Sequence, residues 1–221
     1  FFVVEVFFMP EQTIKIPLFP LNLVLFPQSK LPLHIFEERY KNMITMCMQE
    51  SRPFGINLMS NNNISSIGST AEVVNKFNVL PNGEMDIVIK GKARYELKNY
   101  NLSTEGYFIG DVIYLEDETG YDRDDFNKAV ECYNKIIDAA YKGTIEKVNP
   151  TDLKWIDGSE SVSFFMAQKC GLNLLERQQM LEIDKEQDRL TYLLKYFDEV
   201  MPKIVEADRI SQIIQSDGYL Q

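Results

Sequence analysis

The stretch IPLFPLNLVLFP, residues 16–27, decides how the first part of the chain folds. It contains eight apolar side chains, three prolines and no charge. A membrane-spanning helix needs about 20 consecutive apolar residues, and lysines at positions 15 and 30 bound this run. Proline lacks the N–H donor that a helix requires, whereas strand ends tolerate it. We therefore predict two buried strands, residues 13–19 and 22–26, joined by a proline bend.

Short apolar runs separated by Pro, Gly and Asn continue to about residue 117 and favour a strand-rich domain. The clearest hairpin joins residues 72–80 to residues 84–90 through Asn82 and Gly83, a dipeptide typical of tight turns. The other predicted strands are residues 31–35, 55–59, 93–100 and 107–115. One helix interrupts the strands, because apolar side chains recur at helical spacing over residues 37–50.

An acidic linker, residues 115–125, separates these strands from a part of the chain with helical periodicity. The predicted helices are residues 126–142, 160–169, 174–181 and 185–204. Asn173 with Glu176 and Asp184 with Gln187 have the spacing of capping boxes at the starts of two of them. The sequence thus predicts an α+β protein, with a mixed or antiparallel β domain over residues 13–117 and an all-α helical bundle over residues 118–215.

The first residues, FFVVEVFF, have no basic region and no small-residue cleavage site, so they do not make a signal peptide. We expect translation to begin at Met9. Residues 1–12 are then expected to be a non-native or disordered extension.

The formal net charge of -10 and the pI near 4.7 disfavour binding to a nucleic-acid backbone or an anionic membrane, because like charges repel. The densest group of cations, Lys90, Lys92, Arg94 and Lys98, is interleaved with acidic residues. The three cysteines, Cys47, Cys132 and Cys170, lie in apolar helical patterns without paired metal-ligand spacing. We therefore expect a cytoplasmic protein with reduced cysteines, no cofactor and no bound metal.

Catalytic patterns are weak throughout the chain. His34 is the only histidine, and we expect a corner histidine that is hydrogen-bonded to the backbone and is not a general base. The segment GEMDIVIKGKA, residues 83–93, contains Gly-Lys but lacks the spacing of a phosphate-binding loop, so it is predicted to be a strand. The acidic linker lacks the residue order of a calcium loop and is expected to be solvated. No catalytic residue is assigned, and we expect that the protein is not an enzyme.

Four motifs in a fixed order carry a family resemblance. They are IPLFPLNLVLFP at residues 16–27, LPLHIFEERY at residues 31–40, the block IGSTAEVVNKFNVLPNGEMDIVIKGKARY at residues 67–95, and the helical half that follows. With this order the chain resembles a free-standing Lon protease N-terminal, substrate-binding domain. Ser69 and Thr70 depart from the family pattern of the third motif.

This resemblance implies a PUA-like fold for the β domain and a non-catalytic module that recognises protein or peptide. The implied partners are unfolded or extended polypeptide segments. The alternative is a nucleic-acid or modified-base binding PUA-like protein, which the negative charge disfavours. An enzyme ranks third, because the family's ATPase and protease modules are not part of the resemblance.

Two loops are our predictions for the rim of a binding surface. The first lies within residues 60–66 and includes Ser60, Asn61, Asn62 and Asn63. The second is the turn formed by Pro81, Asn82 and Gly83.

Overall fold

The computed structural model describes residues 12–141 and 143–216. These residues form an α+β fold with one six-stranded sheet and six helices. The chain divides into two compact units. The first unit contains the residues up to Leu23 and Leu31–Leu115, and the second contains Val24–Lys30 and the chain from Glu116.

The first unit is built on a closed ring of five strands. Over the described residues the unit has six strands, of which all but β2 form the ring: β1 (Ile14–Leu18), β2 (Lys30–Ile35), β3 (Phe54–Ser60), β4 (Asn63–Phe77), β5 (Met85–Leu102) and β6 (Phe108–Tyr114). β1 pairs in parallel with β3 and antiparallel with β6, and β3, β4, β5 and β6 follow as antiparallel neighbours. The first half of β5 pairs with β4 and its second half with β6, which closes the ring. Strand β2 lies outside this ring, next to β5.

The ring encloses an apolar core that follows from strand alternation. On β5, Met85, Ile87 and Ile89 are buried while the residues between them are partly exposed. One cluster of this core consists of Ile16, Leu18, Tyr95, Leu97 and Val112. The helix α1 (Glu38–Gln49) buries Tyr40, Met43, Ile44 and Cys47, the stripe that its sequence predicts.

The second unit contains five helices in the described part of the chain. They are α2 (Arg123–Tyr141), α3 (Leu153–Ile156), α4 (Val162–Ala167), α5 (Leu174–Glu182) and α6 (Glu186–Ser216). Apolar side chains of α2 and α6, including Tyr133, Ile137, Leu193 and Phe197, are fully buried in its core. The capping box predicted at Asn173 and Glu176 is confirmed at the start of α5. The one predicted at Asp184 and Gln187 is wrong, because α6 begins at Glu186 and the Gln187 side chain binds Asp122 and Asp125 instead.

The strand predicted at residues 22–26 is wrong. Leu21 makes one isolated parallel bridge with Leu58, and residues 22–29 form no strand. Phe26 is buried in the second unit, where its ring stacks on Phe164 with centroids 5.3 Å apart. Pro20 and Pro27 on either side have no N–H with which to continue a ladder, and side-chain burial of Val24, Leu25 and Phe26 holds the run instead.

The sequence also did not predict that β5 is one continuous strand. The strands predicted at residues 84–90 and 93–100 are one strand, β5, because a bulge and not a chain break follows Gly91. The helix α3 was not predicted, since four residues are too few to show a helical period. Residues 1–11, which make up nearly all of the predicted N-terminal extension, lie outside the described residues.

Candidate functional site

The tip of the β4–β5 hairpin exposes apolar side chains. The Leu80 N–H donates to the Glu84 carbonyl at 2.8 Å, and the Gly83 N–H donates to the Leu80 carbonyl at 2.9 Å. Gly83 has a φ of 81°, a conformation that suits glycine because it lacks a Cβ atom. Around this tight turn Phe77, Val79 and Leu80 expose 39%, 56% and 47% of their surface. Turns are normally polar, so these exposed apolar side chains make the tip a candidate contact surface.

Strand β2 and helix α1 lie beside this tip. His34 at the end of β2 places Nδ1 at 2.8 Å from Asp86 Oδ1, and the His34 ring stacks on Phe36 with centroids 6.0 Å apart. Asp86 lies directly opposite Phe77 in the β4–β5 ladder, so these two side chains share a face of the sheet. From α1, the Lys41 ammonium donates to the Asn82 carbonyl at 2.8 Å.

The strand, the helix and the hairpin thus bring four exposed apolar side chains to one end of the first unit. We name them the tip cluster: Phe36, Phe77, Val79 and Leu80. Phe36 is the most exposed of the four, at 60%. Phe36 lies in the short connection between β2 and α1, so its side chain belongs to neither a strand nor a helix.

A second feature of the first unit is a cleft of about 480 Å³ at the C-terminal end of α1, which we name the α1 cleft. Its lining comes from the end of α1, the following loop, and strands β3, β4, β5 and β6. The lining includes Cys47, Met48, Arg52, Pro53, Val73 and Tyr114, together with the Glu72 and Lys92 pair.

The end of α1 positions Arg52 at this cleft. The Arg52 N–H donates to the Cys47 carbonyl at 2.9 Å and the Ser51 N–H donates to the Met48 carbonyl at 3.4 Å. Ser51 has a φ of 53°. These are the two hydrogen bonds and the left-handed residue of a Schellman motif, with serine in the place that glycine usually takes.

A β-bulge positions Lys92 at the same cleft. In the β4–β5 ladder Ala71 lies opposite Gly91 and Ser69 opposite Arg94, so that Thr70 alone faces both Lys92 and Ala93. The Thr70 hydroxyl lies 3.2 Å from both the N–H and the carbonyl oxygen of Ala93. Bulges redirect side chains, and here the Lys92 ammonium reaches Glu72 Oε1 at 2.9 Å.

The interior of the α1 cleft is apolar and chemically inert. Burial raises the pKa of the Cys47 thiol to about 11, so it stays protonated at neutral pH and is no nucleophile. Burial also raises the pKa of the Tyr114 phenol, which is uncharged there as well. The lining therefore offers apolar side chains for van der Waals contact together with two cationic side chains, Arg52 and Lys92.

The two loops that the sequence predicts as a binding rim are not brought together. Asn61 and Asn62, with φ values of 49° and 61°, form the two-residue turn between β3 and β4, and Ser60 pairs with Asn63 across it. Pro81, Asn82 and Gly83 lie at the tip turn, at the other end of the 15-residue strand β4. The loop expected over residues 60–66 is mostly strand, because β4 begins at Asn63.

The other sequence-predicted features have structural roles. His34 contacts a carboxylate and not the backbone acceptor that we expected. Residues of the acidic linker are not simply solvated, because Asp117 binds Arg189 at 2.8 Å and the Asp122 carboxylate accepts from the Asp124 and Asp125 N–H groups at the start of α2. Within residues 12–141 and 143–216, no group of three or more His, Cys, Asp or Glu side chains could hold a metal ion. No helix in the described part of the chain is long and apolar enough to cross a membrane.

Comparison with known proteins decides the family. The model of the ATP-dependent protease La (LON) substrate-binding domain matches residues 15–199. The chain belongs to this family. The membership predicted from the ordered motifs is confirmed, and the match includes both the tip cluster and the α1 cleft.

The curated relatives of the chain are Lon proteases. The chain is 25% identical over 200 residues to Lon protease of Cytophaga hutchinsonii, with 83% of this chain and 24% of that protein covered. It is 23% identical over 202 residues to Lon protease of Escherichia coli K12, covering 84% and 25%. The chain therefore spans about a quarter of the length of these curated relatives.

Solved structures share the fold of this Lon domain. A Lon N-terminal domain protein from Xanthomonas campestris aligns with a TM-score of 0.66 at 20% identity, over 83% of this chain and 98% of that one. The N-terminal domain of the Mycobacterium avium complex Lon protease aligns with a TM-score of 0.60 at 16% identity, with the same coverage.

Sequence reasoning named the tip turn, Pro81 to Gly83, as part of a binding rim but missed the exposed apolar side chains of the tip cluster and the α1 cleft. Part of the tip was detectable, because VLPNG places two apolar residues directly before a strong turn dipeptide. The α1 cleft gave no such signal, since its lining comes from segments that are distant in the sequence.

Proposed function

We propose that the chain is a non-catalytic module that binds extended, apolar-rich polypeptide segments through the tip cluster of its first unit. The observation that carries the proposal is the exposure of Phe36, Phe77, Val79 and Leu80 around one hairpin end. Exposed apolar groups of this kind gain free energy when a partner covers them. The family description, a substrate-binding domain, supports the same class of function.

The adjacent strand β2 supports binding of an extended segment. Among the described strands, β2 is the one at the end of the strand order that does not take part in the closed ring. An incoming chain can pair with such an edge by main-chain hydrogen bonds, which depend little on sequence. Pro32 lacks an N–H donor and limits this pairing, so the edge offers only a short ladder that ends beside Phe36.

Charge adds a preference among such segments. The formal net charge of -10 attracts segments that also contain Lys or Arg and accelerates their encounter. A small interface must offset the ordering of a flexible chain, so we expect dissociation constants in the micromolar range, about 8 kcal/mol.

The nucleic-acid alternative, with a PUA-like β part, has less support. The cations that it needs do not form an open basic face. Arg94 is fully buried, and the carboxylates of Glu72 and Glu96 lie 2.9 Å from the Lys92 and Lys98 ammonium groups, so negative charge is interspersed among the cations. A phosphate backbone binds best where several cations are accessible together.

The test is anisotropy of one labelled reporter protein, in its folded and unfolded forms, titrated with the full chain. We expect micromolar binding of the unfolded form alone. Leu80→Ser and Phe36→Ser should each weaken this binding about fivefold or more, because each removes a buried apolar contact at the interface.

The matched control is Leu175→Ser, which changes a leucine of α5 that is even more exposed, at 65%, and should leave binding unchanged. Equal binding of both reporter forms, or a loss with Leu175→Ser as large as with Leu80→Ser, contradicts the proposal. Displacement of the reporter by single-stranded RNA would favour the alternative.

A further inference from the structure

The α1 cleft has the size and lining of a ligand site. Its volume of about 480 Å³ falls within the range of about 300–1,000 Å³ typical of small-ligand pockets. Met48 is 39% exposed although it is apolar, and it lies with Pro53 and Val73 around the buried Cys47. A large apolar group that entered the cleft would cover these side chains.

The charges at the cleft favour a single carboxylate as the polar part of the ligand. The lining holds two cations, Arg52 and Lys92, and one carboxylate, Glu72, in a chain with a net charge of -10. Arg52 binds Glu50 at 3.0 Å and the Lys15 carbonyl at 3.5 Å. A guanidinium has five N–H donors and an ammonium three, so both cations retain donors for a ligand.

The existing ion pairs do not block such a ligand. The side chains of the Arg52 and Glu50 pair are 46% and 49% exposed, and those of the Lys92 and Glu72 pair 44% and 46%. Exposed pairs of this kind contribute little to stability, so a ligand carboxylate can share or replace them at low cost.

The backbone fixes the two cations at the cleft. Arg52 follows the Schellman motif that ends α1, and Lys92 is part of the bulge held by the Thr70 hydroxyl. Preorganised donors lose less entropy on binding than side chains on a flexible loop.

We infer that the α1 cleft binds the C-terminal residue of a polypeptide that ends in a large apolar side chain. The side chain occupies the apolar interior, and the terminal carboxylate receives hydrogen bonds from Arg52 and Lys92. A C-terminal residue carries a carboxylate and an apolar side chain on the same carbon atom, which matches cations placed at the edge of an apolar cleft. This inference rests on the proposed function, because it states which part of a polypeptide the cleft binds.

The experiment uses the full chain and three labelled hexapeptides of otherwise identical sequence. One ends in leucine with a free carboxylate, one in leucine amide and one in serine with a free carboxylate. By anisotropy we expect the leucine acid to bind about tenfold more tightly than the amide, because charge-assisted hydrogen bonds are lost. It should also bind about tenfold more tightly than the serine acid, because the apolar contact is lost.

Variants of the cleft residues test whether the difference in affinity between the acid and the amide arises there. Arg52→Gln and Lys92→Gln should each reduce the preference for the acid over the amide at least threefold, while affinity for the amide stays the same. Lys128→Gln removes an equal charge from an exposed position on α2 and should keep the full preference. All three positions are solvent-exposed, and matching thermal melts confirm that the variants are folded.

Several results would overturn the inference. These are equal affinity for the acid and the amide, no binding of any hexapeptide, an undiminished preference in both cleft variants, or N-acetyl-leucine binding as tightly as the hexapeptide. If these occur while the unfolded reporter still binds through the tip cluster, only the C-terminal inference fails. If the reporter does not bind either, the proposed function fails with it.

Discussion

His34 Nδ1 lies 2.8 Å from Asp86 Oδ1 and connects the end of β2 to the beginning of β5. Asp86 Oδ2 also accepts a hydrogen bond from Asn78 Nδ2 at 3.0 Å. The hydrogen bond from His34, and then that from Asn78, hold the pKa of Asp86 below its ordinary value. Both bonds favour the ionised carboxylate.

The first prediction concerns this carboxyl group. Because the pKa of Asp86 is lower in the folded state, the ionised carboxylate stabilises the fold at pH values above the unfolded pKa. This stabilisation is lost as the pH falls through the folded pKa, below about pH 4. We expect His34→Ala to raise the pKa of Asp86 toward its ordinary value, as measured by NMR titration of the side-chain carboxyl carbon. The pKa of Asp157, which hydrogen bonds from Ser159 lower, serves as the control and should not move. An unchanged pKa of Asp86 would show that His34 does not act on it.

The second prediction concerns the end of α1. Ser51 has a φ of 53°, where a side chain costs about 1 kcal/mol and glycine is relaxed. We expect Ser51→Gly to raise the free energy of unfolding by about 0.5–1 kcal/mol, measured by urea denaturation. Gln49→Gly, at the last residue of the same helix, should lower it by about 0.5–1 kcal/mol, since glycine weakens a helix. Destabilisation by both substitutions would contradict the Schellman assignment.

Local signals account for what the sequence predicted. Residues Asn82 and Gly83 specify a turn by their own backbone preferences, and the stripe that includes Met43 and Cys47 specifies the buried face of α1. Both are contained within a dozen residues, so no tertiary information is needed.

Long-range packing accounts for what the sequence did not predict. Phe26 could be recognised as buried, but nothing in its neighbours indicates a partner 138 positions away at Phe164. The bulge that turns Lys92 toward Glu72 depends on the register between two strands, which alternation alone does not fix. Both candidate sites depend on such contacts. Only Val79 and Leu80 of the tip cluster lie next to a turn that the sequence predicts.

The third prediction concerns a buried charge network in the second unit. Arg189 and Glu186 are 1% and 3% exposed, and Arg189 Nη2 lies 2.8 Å from Glu186 Oε2. Glu186 also accepts from the hydroxyls of Ser161 and Ser163 at 2.7 and 2.9 Å. Asp117 pairs with the same guanidinium at 2.8 Å.

We expect Glu186→Gln to lower the free energy of unfolding by about 3 kcal/mol, because it removes one partner of a buried ion pair. Urea denaturation followed by far-UV circular dichroism measures this. As a control, Glu131→Gln breaks an exposed pair with Lys135 and should leave the free energy of unfolding nearly unchanged. Equal effects of the two substitutions would show that burial does not govern the cost.

The last prediction concerns the interior of the strand ring. The Tyr95 hydroxyl donates to Asn57 Oδ1, both side chains are almost fully buried, and Asn57 Nδ2 donates in turn to the Ser65 carbonyl at 3.0 Å. Gly68 leaves the space for this pair, since a Cβ atom there would lie 2.6 Å from Asn57 Nδ2.

Tyr95→Phe keeps the ring and removes the hydroxyl, so it leaves Asn57 Oδ1 buried without this donor. We expect a loss of about 1–3 kcal/mol in the free energy of unfolding, measured by urea denaturation. Tyr100→Phe, at a residue that is 40% exposed, is the matched control and should have little effect. A double-mutant cycle with Asn57→Ala should give a coupling of at least about 0.5 kcal/mol, because the two side chains are in contact. Additive losses would mean that the hydrogen bond contributes nothing beyond the packing of each side chain.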